Sequence, residues 1–202
     1  MADTAASGVA AGEAAAASGA AFGPWFIVGL LLLAVLLFWV IGAYNRLVVM
    51  RNGIADAWAK VQVALDQRGA ALAPLVAALR APMAAEQGAL DTWRSAHAEA
   101  DKAAKAMATR PVDESRAQAW LTAESTLAAA ASRVLALLDQ HTELRLQDPV
   151  APLAASWREG QARLPFARQL FNEAAAAYND ALGVFPTQIV AQGFNLGRAG
   201  LI

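Results

Sequence analysis

The residues with the strongest claim to chemistry are two histidines, His97 and His141, and two glutamates, Glu86 and Glu124. The glutamates fall at positions that read as facing helix seams. Glutamates meeting across a helical bundle can bridge metal ions, but such sites add Glu-x-x-His on two helices. The chain contains no Glu-x-x-His. His97 lies on an apolar stripe with no second histidine near it, and reads as a bundle histidine. A zinc site would need both histidines plus acids from other helices. Ser95, Ser125 and Ser132 lie in helical sequence without a nucleophile elbow, and no phosphate-cradling glycine loop or dinucleotide fingerprint occurs. The chain has no cysteine, which excludes disulfides, thiolate metal sites, iron–sulfur clusters and cysteine nucleophiles. Neither catalysis nor a metal or other cofactor is expected.

The elements that carry these residues are helices. Of 202 residues, 57% are hydrophobic, but 53 of them are alanine. Alanine is the best helix former, because it loses no side-chain entropy and buries no polar group. The shortage of Val, Ile, Thr and Tyr argues against sheets. A net charge of −1 leaves no basic face for nucleic acid, so no nucleic-acid partner is expected.

Residues 1–23 are Ala, Gly and Ser with two acids, and read as a disordered tail. Residues 25–43 carry no charge. In a helix they span roughly 28 Å, close to the hydrocarbon thickness of a bilayer. Trp25, Trp39 and Tyr44 flank the run as interfacial aromatics do. A cleaved signal needs a basic n-region, and no Lys or Arg precedes the run. An uncleaved transmembrane helix over 24–44 is expected. All 16 basic residues follow it, with Arg46, Arg51 and Lys60 nearest. The positive-inside rule then places the N-terminus outside and the rest in the cytoplasm. Gly29 and Gly42 do not form GxxxG.

Beyond the run, apolar residues recur at spacings of three and four. Leu47, Met50, Ile54, Trp58, Val61 and Leu65 continue the membrane helix, punctuated by Gly69 and Pro74. A second stripe runs from Val76 through Leu79, Met83, Glu86, Leu90, Trp93, His97, Ala100 and Ala104 to Met107, bent at Pro82. Thr109-Arg110-Pro111 ends it, and Asp113 is a cap for the next helix. A third helix is expected from Glu114 to Leu146. The fourth carries Leu164, Ala167, Phe171, Ala174, Tyr178, Ala181 and Phe185, with Pro165 against its straightness and Gly183 and Pro186 closing it. Repeats near 3.5 mean near-parallel packing with close approach at alanine. The fold class is therefore all-α: an N-terminal transmembrane helix continuing into an elongated up-down bundle of about four long helices over 45–185. An apolar C-terminal tail, 186–202, follows. Phe194, Leu201 and Ile202 there either touch the bilayer or pack on the bundle flank.

Two blocks carry a family resemblance. Residues 44–58, YNRLVVMRNGIADAW, resemble the pattern YNxLVxLRNxVxxAW of the LemA family. Ala167-Arg168-Gln169-Leu170-Phe171-Asn172-Glu173, then Tyr178-Asn179, then Phe185-Pro186 and Gly193-Phe194, resemble the family's second block, AR-x-x-YNEAV-x-x-YN followed by FP. The chain departs from the pattern at Gln62, Ala64 and Ala70, and over 81–86. The motif residues are Tyr44, Asn45, Leu47, Arg51, Asn52, Trp58, Arg168, Phe171, Asn172, Tyr178, Asn179, Phe185 and Pro186. Trp58 is expected to anchor the core. An Arg51–Asp180 or Asn52–Asn179 contact is expected where the fourth helix returns. The resemblance implies a single-pass membrane protein with a long-helix bundle and no established enzymatic reaction.

These observations describe a structural or protein-interaction module at the inner face of a bacterial cell membrane. Its partners are the lipid bilayer and an unidentified protein or a second copy. The rival is a ligand-binding sensor with a pocket between the helices, lined by Trp58, Trp93 or Trp120 beside convergent polar groups.

Overall fold

The structure is a computed structural model that describes residues 23–202. The tail read for residues 1–23 lies, apart from Gly23, outside the described residues. Among these the regular structure is helical, with no strand. The chain divides into two compact units, one ending at Ala43 and the other comprising Tyr44–Ile202.

Helix α1 (Pro24–Leu79) contributes to both units. Pro24 opens it, where the missing N–H costs nothing because that donor would have no intrahelical acceptor. In the first unit the side chains face outward, with Trp25 at 85% and Phe38 at 76% exposure. An 18-residue window of α1 has mean hydropathy 2.9 with none of it buried in protein. The helix is long and apolar enough to cross a membrane.

The second unit holds the rest of α1, then α2 (Gln87–Thr109), α3 (Glu114–Gln140), the short α4 (Thr142–Leu146), α5 (Val150–Gly183) and α6 (Thr187–Gly193). Its core forms two apolar clusters. One joins Leu72, Leu75, Leu79, Leu90, Trp93, Leu127, Val134, Leu138 and Trp157. The other joins Leu47, Ile54, Trp58, Val61, Met107, Trp120, Leu164, Phe171 and Tyr178. Along α1 and α3 the chain meets the Trp58 cluster first, and along α2 and α5 the Trp93 cluster first. The four long helices therefore alternate in direction. Helix α3 is also apolar enough by composition to pass for a membrane span, but Trp120, Leu127, Val134 and Leu138 on it are buried in these clusters.

Several expected boundaries move. Helix α1 runs through Gly69 and Pro74 to Leu79, so Val76 and Leu79 belong to it rather than to the second helix. Gly69 answers a packing need, since a Cβ there would lie 3.0 Å from His97 Nε2. At Pro82 the chain turns instead of bending, with one 3-10 turn at Ala84–Glu86 before α2. Met83 drops into the core at 2% exposure and Arg80 pairs with Asp91 across the corner. Glu86 sits in that turn, away from any seam. The third helix stops at Gln140, where His141 leaves helical geometry with ψ 77°. Asp113 caps α3 as expected, accepting from the Arg116 N–H at 3.1 Å. Helix α5 continues through Pro165, which is exposed, while Leu164 and Ala167 on either side are buried. Its buried stripe runs Phe171, Ala175, Tyr178, Leu182 rather than Ala174, Ala181, Phe185. An α-helix turns every 3.6 residues, so a strict 3.5 stripe drifts off the seam.

Candidate functional site

A charged layer crosses the bundle between its two apolar clusters. Arg68 on α1 and Glu124 on α3 are the buried charged residues among those described, 3% and 5% exposed. Arg68 donates through Nη1 to Glu124 Oε2 at 2.8 Å and through Nη2 to Oε1 at 2.7 Å. This two-pronged match of planar groups is the strong form of the pair. Arg68 Nη1 also donates to Gln161 Oε1 at 3.0 Å, and Arg168 Nη2 lies 3.4 Å from Glu124 Oε2. Each guanidinium stands over an indole, Arg68 over Trp157 at 5.4 Å and Arg168 over Trp120 at 4.6 Å. There the ring face attracts the cation. Burial pushes the Arg168 pKa down, the Glu124 charge opposes that, and Arg68 adds to it. The layer depends on a glycine. A Cβ at Gly160 of α5 would lie 2.7 Å from the Arg68 Cα, so only glycine allows this approach.

Sequence reading placed Glu124 on a seam and passed over Arg68. The signal was present. Val61, Leu65, Arg68, Leu72, Leu75 and Leu79 continue one three-four spacing, so Arg68 occupies a core position. Glu124 does the same between Trp120 and Leu127. A lone charge is too costly to bury, so opposite charges at core positions of two helices are each other's natural partners.

His97 stands beside this pair, its ring 6.4 Å from that of Trp157. Burial lowers its pKa below 6.5, and Arg68 and Lys105 push the same way, against Asp101 and Glu124. A cavity of about 300 Å³ opens next to the layer, lined by Gln62, Asp66, Arg68, His97, Asp101, Lys105 and Glu124 among others. The expected lining of Trp58, Trp93 or Trp120 is not found, because all three are packed inside the apolar clusters. Among the described residues, the buried side-chain polar atoms without a partner are all donors: the indole N–H of these three tryptophans and Nε of Arg68 and Arg168. Among the described residues no three of His, Cys, Asp and Glu converge as metal ligands, and His97 and His141 lie on different elements.

The lowered His97 pKa has a consequence for stability. The unfolded chain takes up this proton at a higher pH than the fold does. Between the folded and unfolded pKa values the unfolded state therefore binds more protons, and stability rises with pH. The contribution is complete above about pH 6.5 and is lost as pH falls through the window below it. Urea midpoints of the wild type should drop on acidification through this window more steeply than those of His97→Gln. Parallel pH profiles would contradict this.

A second constellation comes from the motif residues. The segment after α6 runs extended along α5 and is held by two asparagines. Asn179 donates to the Ala199 carbonyl at 2.9 Å and accepts from its N–H at 2.8 Å. Asn172 donates to the Ile202 carbonyl at 2.6 Å and accepts from its N–H at 2.8 Å. The spacings match: seven residues of helix and three of extended chain both cover about 10 Å. Between the clamps, Gly200 presses on α3, where a Cβ would lie 2.7 Å from that of Ala117 and 2.8 Å from the Glu114 Cα. Asn195, in the left-handed region at φ 52°, redirects the chain out of α6, a conformation that asparagine tolerates better than most residues.

This clamp accounts for Asn172 and Asn179. Asn179 uses its amide on Ala199, and among the described residues no hydrogen bond or ion pair joins Arg51 to Asp180 or Asn52 to Asn179. Arg51 acts instead on Tyr178, where its charge opposes the rise in pKa that burial causes. Ile202 packs on the bundle flank, the second of the two fates expected for it. Leu47, Trp58, Phe171 and Tyr178 are core residues. Trp58 meets Trp120 and Phe171 edge to face at 5.2 and 5.9 Å. Tyr44 packs on Phe194, ring centres 4.7 Å apart. Asn45, Arg51 and Asn52 are exposed, and Pro186 is half-buried. Phe185 is 76% exposed because α5 ends before it.

Fold and site together define an all-α protein: an alternating four-helix bundle crossed by a buried ion pair, whose first helix begins as an apolar run. The chain belongs to the LemA family, whose model matches residues 57–201. A search of curated proteins found no match.

Proposed function

We propose that the protein is a single-pass, membrane-anchored helical bundle that acts as a structural or protein-interaction module and carries out no catalysis. The anchor rests on one observation, the outward-facing apolar window of α1. Each exposed apolar Å² is unfavourable in water by about 25 cal/mol, and lipid removes that cost. The Lys/Arg asymmetry around the run supports an outside N-terminus and a bundle in the cytoplasm, at a bacterial inner membrane. The bundle then meets a protein partner or a second copy.

The chain lacks cysteine, so single probes are easily introduced. An impermeant maleimide should label Ser7→Cys in intact cells and Glu99→Cys only after lysis, and the protein should stay in the membrane pellet through alkaline carbonate. Reversed labelling would sink the orientation, and carbonate release the anchor. Crosslinking in membranes should yield an adduct with another protein or a second copy, and recovery of monomer alone would sink the module.

The second reading, a ligand-binding sensor, is favoured by the cavity beside Arg68, His97 and Glu124 and by the unpartnered Arg68 Nε. Under it a small polar ligand would raise the Tm of the wild type and not that of His97→Leu.

A further inference from the structure

Exposed apolar side chains gather where α5 turns into α6. Val184, Phe185 and Ile189 are 59%, 76% and 61% exposed, and Phe194 is 52% exposed. Two observations set their level in the bundle. Gly160 of α5 lies on Arg68 of the oppositely directed α1. Twenty-four residues back from Arg68 is Tyr44, and twenty-four forward from Gly160 is Val184. Each step covers about 36 Å, so the corner is level with Tyr44. Independently, the Phe194 ring packs on that of Tyr44. The uncharged run of α1 over 25–43 ends immediately before Tyr44, and the first charge follows at Arg46.

Charge at this end leans positive, with Asp180 an exposed acid in the same concavity as Arg198. Arg46, Arg51 and Arg198 are exposed and make no ion pair among the described residues. At the opposite end Arg80 and Arg94 pair with Asp91, and Arg145 and Arg158 with Asp139. Apolar tips beside unpaired cations suit the boundary between acyl chains and anionic headgroups. A protein partner would gain from the apolar tips, but the arginines and the adjoining membrane run favour lipid.

We infer that the α5–α6 corner, with Phe185 and Ile189 at its tip, inserts into the headgroup region of an anionic bilayer. This rests on the anchored reading above. The test uses the full chain in vesicles of phosphatidylcholine with about one-third phosphatidylglycerol. An environment-sensitive fluorophore is placed singly at Ile189→Cys, at Leu146→Cys as the distant exposed control, and at Val35→Cys in the apolar run. Quenching by doxyl lipids should be about threefold greater at position 189 than at 146. It should fall when Arg46, Arg51 and Arg198 are all replaced by glutamine. Equal quenching at 189 and 146, with strong quenching at 35, would overturn the inserted corner and leave the anchor standing. No quenching at 35 would overturn the anchor, and the corner with it. A blue-shifted but unquenched probe at 189 would mean that protein covers the corner, which also overturns insertion.

Discussion

Glu124→Gln is expected to lower the stability of the bundle by about 3–5 kcal/mol. The substitution barely changes volume, so packing loss is small. What it removes is the counter-charge of Arg68, a guanidinium only 3% exposed. Arg168, within 3.4 Å of Glu124, then faces Arg68 without a screen. Arg68→Met should cost less, because Arg168 still answers Glu124. The combined Arg68→Met and Glu124→Leu should recover most of the loss, since an apolar pair of similar size avoids the desolvation that the ion pair must offset. Urea unfolding of the full chain in detergent, followed by circular dichroism, distinguishes these outcomes. A loss under about 1 kcal/mol for Glu124→Gln would show that the charge is not what braces the layer. A double variant as weak as the single would assign the effect to packing.

Replacing Asn172 and Asn179 together by alanine should release residues 199–202 from the flank of α5. Four hydrogen bonds disappear, each worth about 1 kcal/mol net, so docking weakens by about 4 kcal/mol. At 1.4 kcal/mol per decade, amide exchange at Ala199 and Ile202 should quicken by about two to three orders of magnitude. Each single variant should give roughly half of this on a logarithmic scale. Asn172→Asp keeps the acceptor but sets a carboxylate oxygen against the Ile202 oxygen, and should release the segment at least as far as Asn172→Ala. Gly200→Ala should release the same segment by another route, because the added methyl meets Ala117 and the Glu114 backbone. Exchange measured by mass spectrometry on the C-terminal peptide reports all of these. Retained protection in the double asparagine variant would mean that the fit of Gly200 holds the segment unaided.

The two constellations differ in how far the residues announced them. Glu124 and Arg68 both obey the spacing of their stripes, so a charge at a core position was legible on each helix alone. The partner was not, because pairing depends on which helices face one another at that height. Asn172 and Asn179 stood out through the family motif, yet their bonds did not. An asparagine on a helix face can cap, bridge helices or clamp extended chain, and the choice depends on what passes in front of it. The tail of residues 186–202 shows the same limit. Its apolar content suited either lipid or protein, and the structure divides it: Ala199 and Ile202 on the bundle, Ile189 and Leu201 outward.

By themselves the residues settled what depends on local periodicity and composition. Alanine content made the chain helical, the three-four stripes marked the core, Asp113 marked a cap, and the uncharged run over 25–43 marked a helix apolar enough to span a bilayer. Tertiary structure decided where helices end and what the polar residues do. Proline is a local obstacle, and at Pro74 and Pro165 the helix continues with its neighbouring core residues packed, while at Pro82 the chain turns and packs Met83 into the core from the corner. Gly69 read as punctuation, and Gly160 and Gly200 carried no signal of their own. All three are places where another part of the chain comes within reach of a missing Cβ, a fact that exists only once the helices are side by side.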